Sequence, residues 1–210
     1  MTSKKTIHFE EILNTYSHAF GVLLFLIGAI ILFQKDISTI PYLSLGLGVY
    51  CFSLILLFSA STIYHAIEKQ KLKRKFRILD HISIYYLIAG TYTPVCLTLL
   101  KDSKGILLLY LVWGIAIFGT FLKLFFTGKF EAFSLILYAI MGWLVVLDLN
   151  FLIEEISSKG LFFIALGGAF YTIGIVFYAI KRIPYNHFIW HLFVLGGAIS
   201  HWFFIYTELL

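Results

Sequence analysis

The sequence predicts an all-α protein, a bundle of seven transmembrane helices in one domain over residues 1–210. Three observations carry that expectation. The apolar fraction is 60% and the charged fraction 13%, against about 25% charged residues in a soluble domain. Such a chain cannot cover a water-facing surface. Seven apolar stretches are each long enough to cross a bilayer, which takes about 20 residues of helix. The basic residues also alternate between the connections, as the positive-inside rule requires.

The stretches follow in order. The first is uncharged from Ile12 to Gln34 and the second from Ile37 to Ile67. The third runs from His81 to Leu100, with Pro94 as a candidate kink, and the fourth from Gly105 to about Phe126. The fifth, from about Ala132 to Ile153, holds Asp148 near its end; the sixth runs from Gly160 to Ile180 and the seventh from Ile183 to Thr207. A β-barrel would show short alternating segments instead. No inverted repeat of the transporter type is visible.

Lys4 and Lys5, the connection from Lys69 to Arg77, the pair Lys123 and Lys129, and the pair Lys181 and Arg182 together hold 12 of the 16 basic residues. The other side carries Lys35, Lys101, Lys104 and Lys159, offset by Asp36, Asp102, Glu154, Glu155 and Glu208. This distribution places the N-terminus in the cytoplasm and the C-terminus outside, as an odd number of spans requires. The net charge of +5 thus faces lipid head groups, and no nucleic-acid partner is expected. Glu10 and Glu11 follow the first lysines, and no cleavage site ends the first stretch, so it reads as a retained helix preceded by about a dozen residues. Cys51 and Cys96 lie inside apolar stretches and are expected in the core.

Ionisable groups inside a membrane segment are costly and usually functional. His65 ends the second stretch, four residues after Ser61. Asp80 and His81 open the third. His187 and His191, four apart and so on one helix face, open the seventh. The charge topology puts all of these at the cytoplasmic ends of their helices. Histidines at i and i+4 can chelate one ion, and a third imidazole from another helix completes a His₃ set. Zinc held by three protein nitrogens keeps its fourth position open, the catalytic arrangement. Asp80 then either ligates, or holds the water, or orients an imidazole. Ser61 can donate to a substrate carbonyl or to that water. His18 is expected to form a helix–helix hydrogen bond, and His201 to pack or bond in mid-membrane. His8 carries no signal, and Asp148 is expected to be solvated near the outer interface.

These residues form a pattern. Glu11-x-x-Asn14-x-x-x-His18-x-x-Gly21 opens the first helix, and Ser61-x-x-x-His65 closes the second. Asp80-His81, followed by Ile88-Ala89-Gly90-Thr91-Tyr92-Thr93-Pro94, runs through the third. His187-x-x-x-His191-Leu192-Phe193-Val194, then His201, fills the last. In this the chain resembles the hemolysin III family, the bacterial branch of the progestin and adipoQ receptors, over nearly its whole length. The resemblance implies a zinc ion near the cytoplasmic side, with His65, His187 and His191 as ligands and Asp80 on the zinc-bound water. It also implies a multi-pass cell-membrane protein acting in membrane lipid homeostasis. Three functions compete. The first is a zinc-dependent hydrolase of lipid amides, similar to alkaline ceramidases, with Asp80 and Ser61 catalytic and a membrane lipid or fatty acyl compound as substrate. The second is a non-enzymatic sensor or receptor with structural zinc. The third, a hemolysin that permeabilises membranes, is disfavoured because so apolar a chain could not be secreted in soluble form.

Overall fold

The structure is a computed structural model that describes residues 4–35, 37 and 39–210, with side chains from residue 8 onward apart from those two gaps. The side chains of Lys4 and Lys5, and Asp36, lie outside the described residues. The described residues form helices and connections with no strand. The helices are α1 (Lys4–Phe33), α2 (Leu43–Ala66), α3 (Gln70–Leu97), α4 (Gly105–Phe126), α5 (Glu131–Trp143), α6 (Leu149–Glu155), α7 (Ser158–Ala179) and α8 (Asn186–Glu208). A 3₁₀ turn over Leu144–Asp148 joins α5 to α6.

Successive long helices run up and down, because their connections are short. α1 packs on α2, α2 on α3, α3 on α4, and α7 on α8, while α1 also packs on α8 and closes the bundle. α3 is the inner helix, touching α2, α4, α5 and α8. Small residues let α2 and α3 approach closely. A Cβ on Gly46 would stand 2.7 Å from the Pro94 Cα, and one on Gly90 would collide with Ser53. Cys51 and Cys96 are free and buried in the core, as expected.

Six helical segments are long and apolar enough to cross a membrane: His8–Phe33, Leu43–Ala66, Gly105–Phe126, Glu131–Glu155, Ser158–Ala179 and Asn186–Glu208. α3 is not among them. Its first turns carry Lys71, Lys73, Arg74, Lys75 and Arg77, and its buried face mixes the polar Asp80, His81, Ser83 and Thr93 with apolar residues such as Ile82, Leu87 and Val95. A helix enclosed by its neighbours needs little apolar surface of its own.

Three expectations are corrected. The densest basic stretch is not a loop: only Ile67, Glu68 and Lys69 are non-helical, and the rest forms the first turns of α3. α1 begins at Lys4, so the helix starts well before its apolar part. The fifth stretch is broken. The Tyr92 hydroxyl donates to the Gly142 carbonyl at 3.0 Å and accepts from the Val145 N–H at 2.8 Å. A side chain inserted into the backbone ladder distorts a helix at that point, and here the ladder tightens to 3₁₀ for one turn.

Candidate metal centre

His65 sits in the last turn of α2, and His187 and His191 in the first two turns of α8. The start of α8 is fixed from three sides. Tyr185, just before it, takes a left-handed conformation (φ 56°) that turns the chain. The Asn186 amide donates to the Phe177 and Tyr178 carbonyls at 3.2 and 3.4 Å, serving acceptors that the end of α7 leaves open. The His187 N–H donates to Glu10 Oε1 at 3.2 Å; an anion at a helix N-terminus is favoured by the exposed donors there.

The three imidazoles meet. Their potential ligand atoms all lie within 4.8 Å of one another. Ring centroids are 5.1 Å apart for His65 and His187, 4.9 Å for His65 and His191, and 4.8 Å for His187 and His191. His65 is 5% exposed and His191 2%. His65 Nε2 is buried without a hydrogen-bond partner among the described residues. Such a nitrogen costs about 1–3 kcal/mol if left unsatisfied, and a bound cation would satisfy it. Three imidazole nitrogen donors suit a transition metal, and this group could hold one.

α1 backs the triad. Glu11 Oε2 lies 3.3 Å from His65 Nδ1 and 2.5 Å from Lys73 Nζ. The Asn14 amide is 3.5 Å from the same ring nitrogen, and Ser17 Oγ is 3.4 Å from His191 Nδ1. His18 departs from expectation: its ring stacks on His191 at 3.7 Å and 13° and meets Phe58 edge-on, and neither of its nitrogens has a hydrogen-bond partner among the described residues. A ring lying flat on its neighbour directs neither nitrogen at it.

Ser61, Asp80, His187, His191 and His18 line one cavity. Leu57, Ile84, Leu87, Ile88, Ile175 and Val194 continue its wall, and Tyr92, Gly142 and His201 also border it. His187 and His201 both border it, so it follows about 21 Å of α8. Ser61 Oγ is buried with no partner among the described residues. His201 packs, as expected, against α7, where a Cβ on Gly167 would overlap its ring.

His81 does not join the triad. Its Nδ1 lies 3.8 Å from Glu131 Oε1, and its carbonyl accepts from the Tyr138 hydroxyl at 2.9 Å. Glu131 also receives Lys123 Nζ at 3.0 Å, Arg77 Nη2 at 3.5 Å and the Gly128 N–H at 3.2 Å. Sequence reasoning treated Lys123 as a loop charge. The signal was present, since Lys123 lies inside the fourth apolar stretch, and it is 1% exposed. Between α7 and α8, Lys181 holds its ammonium 4.0 Å from the Tyr178 ring centroid, and burial pushes its pKa down.

Comparison with known proteins accords with this architecture. Residues 6–202 match the family described as Haemolysin-III related. The chain is 39% identical over 196 residues to the hemolysin-3 homolog of Bacillus subtilis (strain 168), covering 92% of each protein. It is 39% identical over 195 residues to hemolysin-3 of Bacillus cereus, covering 92% of this chain and 89% of the relative. It is 29% identical over 210 residues to the human monocyte to macrophage differentiation factor, covering 96% of this chain and 85% of the relative. A match over nearly the whole chain, together with six apolar helices of spanning length, makes this protein a multi-pass membrane member of the haemolysin III family.

Proposed function

We propose that this protein is a zinc-dependent hydrolase of membrane acyl lipids, lipid amides included, and that it serves membrane lipid homeostasis. The observation that carries the proposal is one juxtaposition: His65, His187 and His191 face one another, and His187 and His191 line, together with Asp80 and Ser61, a cavity whose walls are otherwise largely apolar. We take residues 1–210 as one domain. α3 completes seven spans, with the N-terminus in the cytoplasm and the C-terminus outside.

His65, His187 and His191 would hold the ion. Zinc supplies Lewis acidity there and makes a water nucleophilic near neutral pH. The side chains do the rest. The Asp80 carboxylate, which lines the same cavity as His187 and His191, would serve as general base and then general acid, taking a proton from the attacking water and giving it to the leaving group. The Ser61 hydroxyl, which lines the cavity with Asp80, would donate to the substrate carbonyl oxygen. The apolar wall takes the acyl chain and keeps bulk water from the scissile bond.

The experiment compares wild-type protein with Asp80→Ala on ceramides and other acyl lipids, alongside zinc content. The hydrolase reading expects turnover by the wild type, and in the variant a loss of at least 100-fold with metal retained, since general acid–base groups contribute about 10²–10⁴-fold. Zinc-loaded wild type that turns over none of these lipids overturns it. The alternative, a sensor whose zinc ties α2 to α8, is favoured by the support that the His65 and His191 imidazoles receive from α1. It expects Asp80→Ala to change little.

A further inference from the structure

Of the five carboxylates at the histidine end, Glu10, Glu11, Glu68, Asp80 and Glu131, only Glu11 lies within hydrogen-bond distance of a ring nitrogen of the triad among the described residues. A carboxylate only accepts hydrogen bonds. With Glu11 Oε2 as its acceptor at 3.3 Å, His65 Nδ1 is the nitrogen that carries the hydrogen, and Asn14, 3.5 Å from the same nitrogen, then presents its otherwise unpartnered Oδ1 to it rather than its amide N–H. The imidazole is neutral when only one nitrogen is protonated, so Nε2 keeps its lone pair. That Nε2 is the atom left without a partner in the interior of the triad. Lys73 Nζ, 2.5 Å from the same Glu11 oxygen, holds the carboxylate in place and compensates its charge. One chain of contacts thus runs from the basic turn of α3 through α1 to the last turn of α2.

We propose that Glu11, held by Lys73, is a positioning residue for the metal centre: by accepting from His65 Nδ1 it selects the tautomer and ring orientation that present Nε2 to the ion. This rests on the reading that the triad binds metal. Glu11 touches neither substrate nor ion, and acts only through His65.

The test measures metal affinity rather than turnover. Full-length protein in detergent, stripped of metal, is titrated with Zn²⁺ against a chelating competitor, and separately with Co²⁺, whose visible absorption reports the ligand field. Supporting carboxylates behind metal-bound histidines are worth about 10–100-fold in affinity. Glu11→Gln is expected to weaken Zn²⁺ binding by about that factor and to alter the Co²⁺ spectrum. Lys73→Gln should show a smaller loss in the same direction. Glu68→Gln, the same charge change at an exposed position in the α2–α3 connection, should bind as wild type does. Melting of the metal-free proteins separates positioning from unfolding: Glu11→Gln is expected to melt with wild type. Equal affinity and spectrum in Glu11→Gln and wild type overturn the proposal while the triad stands. So does a weakening matched by Glu68→Gln, or one accompanied by a metal-free protein that no longer folds. A wild type that binds neither ion removes the triad reading itself.

Discussion

The two ends of the bundle both carry buried or half-buried carboxylates, and use them differently. At the end away from the histidines, Asp148 accepts from Ser103 Oγ at 2.8 Å and from the Lys104 N–H at 2.9 Å. Glu208 accepts from the Ser157 N–H at 2.9 Å and Ser157 Oγ at 2.6 Å. Both serve the open donors at a helix start, of α4 and of α7. At the histidine end, Glu10 does the same for α8, but Glu11 and Glu131 each gather a histidine and a cation from other helices. A carboxylate facing backbone donors anchors a helix. One facing side chains of several helices fixes where those side chains point.

That contrast can be broken most sharply at the triad. His191→Ala removes one of the three proposed ligands and should cost more than the roughly 100-fold upper cost of a supporting partner, with stability at the opposite end untouched; zinc content after dialysis checks it. Next comes Glu131→Ala. It leaves Lys123, 1% exposed, without its acceptor, and breaking a buried ion pair from one side costs about 3–5 kcal/mol. Partial exposure of Glu131 puts the expected loss at the lower end, near 3 kcal/mol. The pair Lys123→Met with Glu131→Gln should recover most of it in thermal melts. Asp148→Ala should cost about 1 kcal/mol as a lost cap and leave zinc affinity unchanged; a change in affinity would blur the distinction between the two ends. The smallest effect is expected from Tyr92→Phe, about 1 kcal/mol or less for a part-buried hydrogen-bonded hydroxyl, with faster amide exchange at Val145 as its signature.

Much of the architecture was legible in the residues. Hydropathy alone located the six apolar helices, because lipid leaves so few alternatives, but α1 starts eight residues before its stretch and α2 six residues into its own. Depth was legible too: charge alternation put His65, Asp80, His187 and His191 at one end, where the structure has them. The rest depended on neighbours. Nothing in the spacing of His81 separates it from the triad; Glu131, fifty residues on, draws it aside. Asp148 was expected to be solvated, but it is 5% exposed, because the start of α4 supplies donors that a single segment cannot reveal. The break between α5 and α6 has no Gly-Pro signal of its own. Its cause is a hydroxyl on α3.

The closure of α1 against α8 has a consequence for synthesis. His65 leaves the ribosome more than a hundred residues before His191. At roughly 5–20 residues per second, the early helices wait several seconds in the membrane with Glu11 and Lys73 already able to hold that ring. The last helix then brings both remaining imidazoles together. On the metal-binding reading proposed above, a chain that stops short of α8 would lack two of the three proposed ligands, His187 and His191, and capture of the ion would wait until α8 has closed against α1.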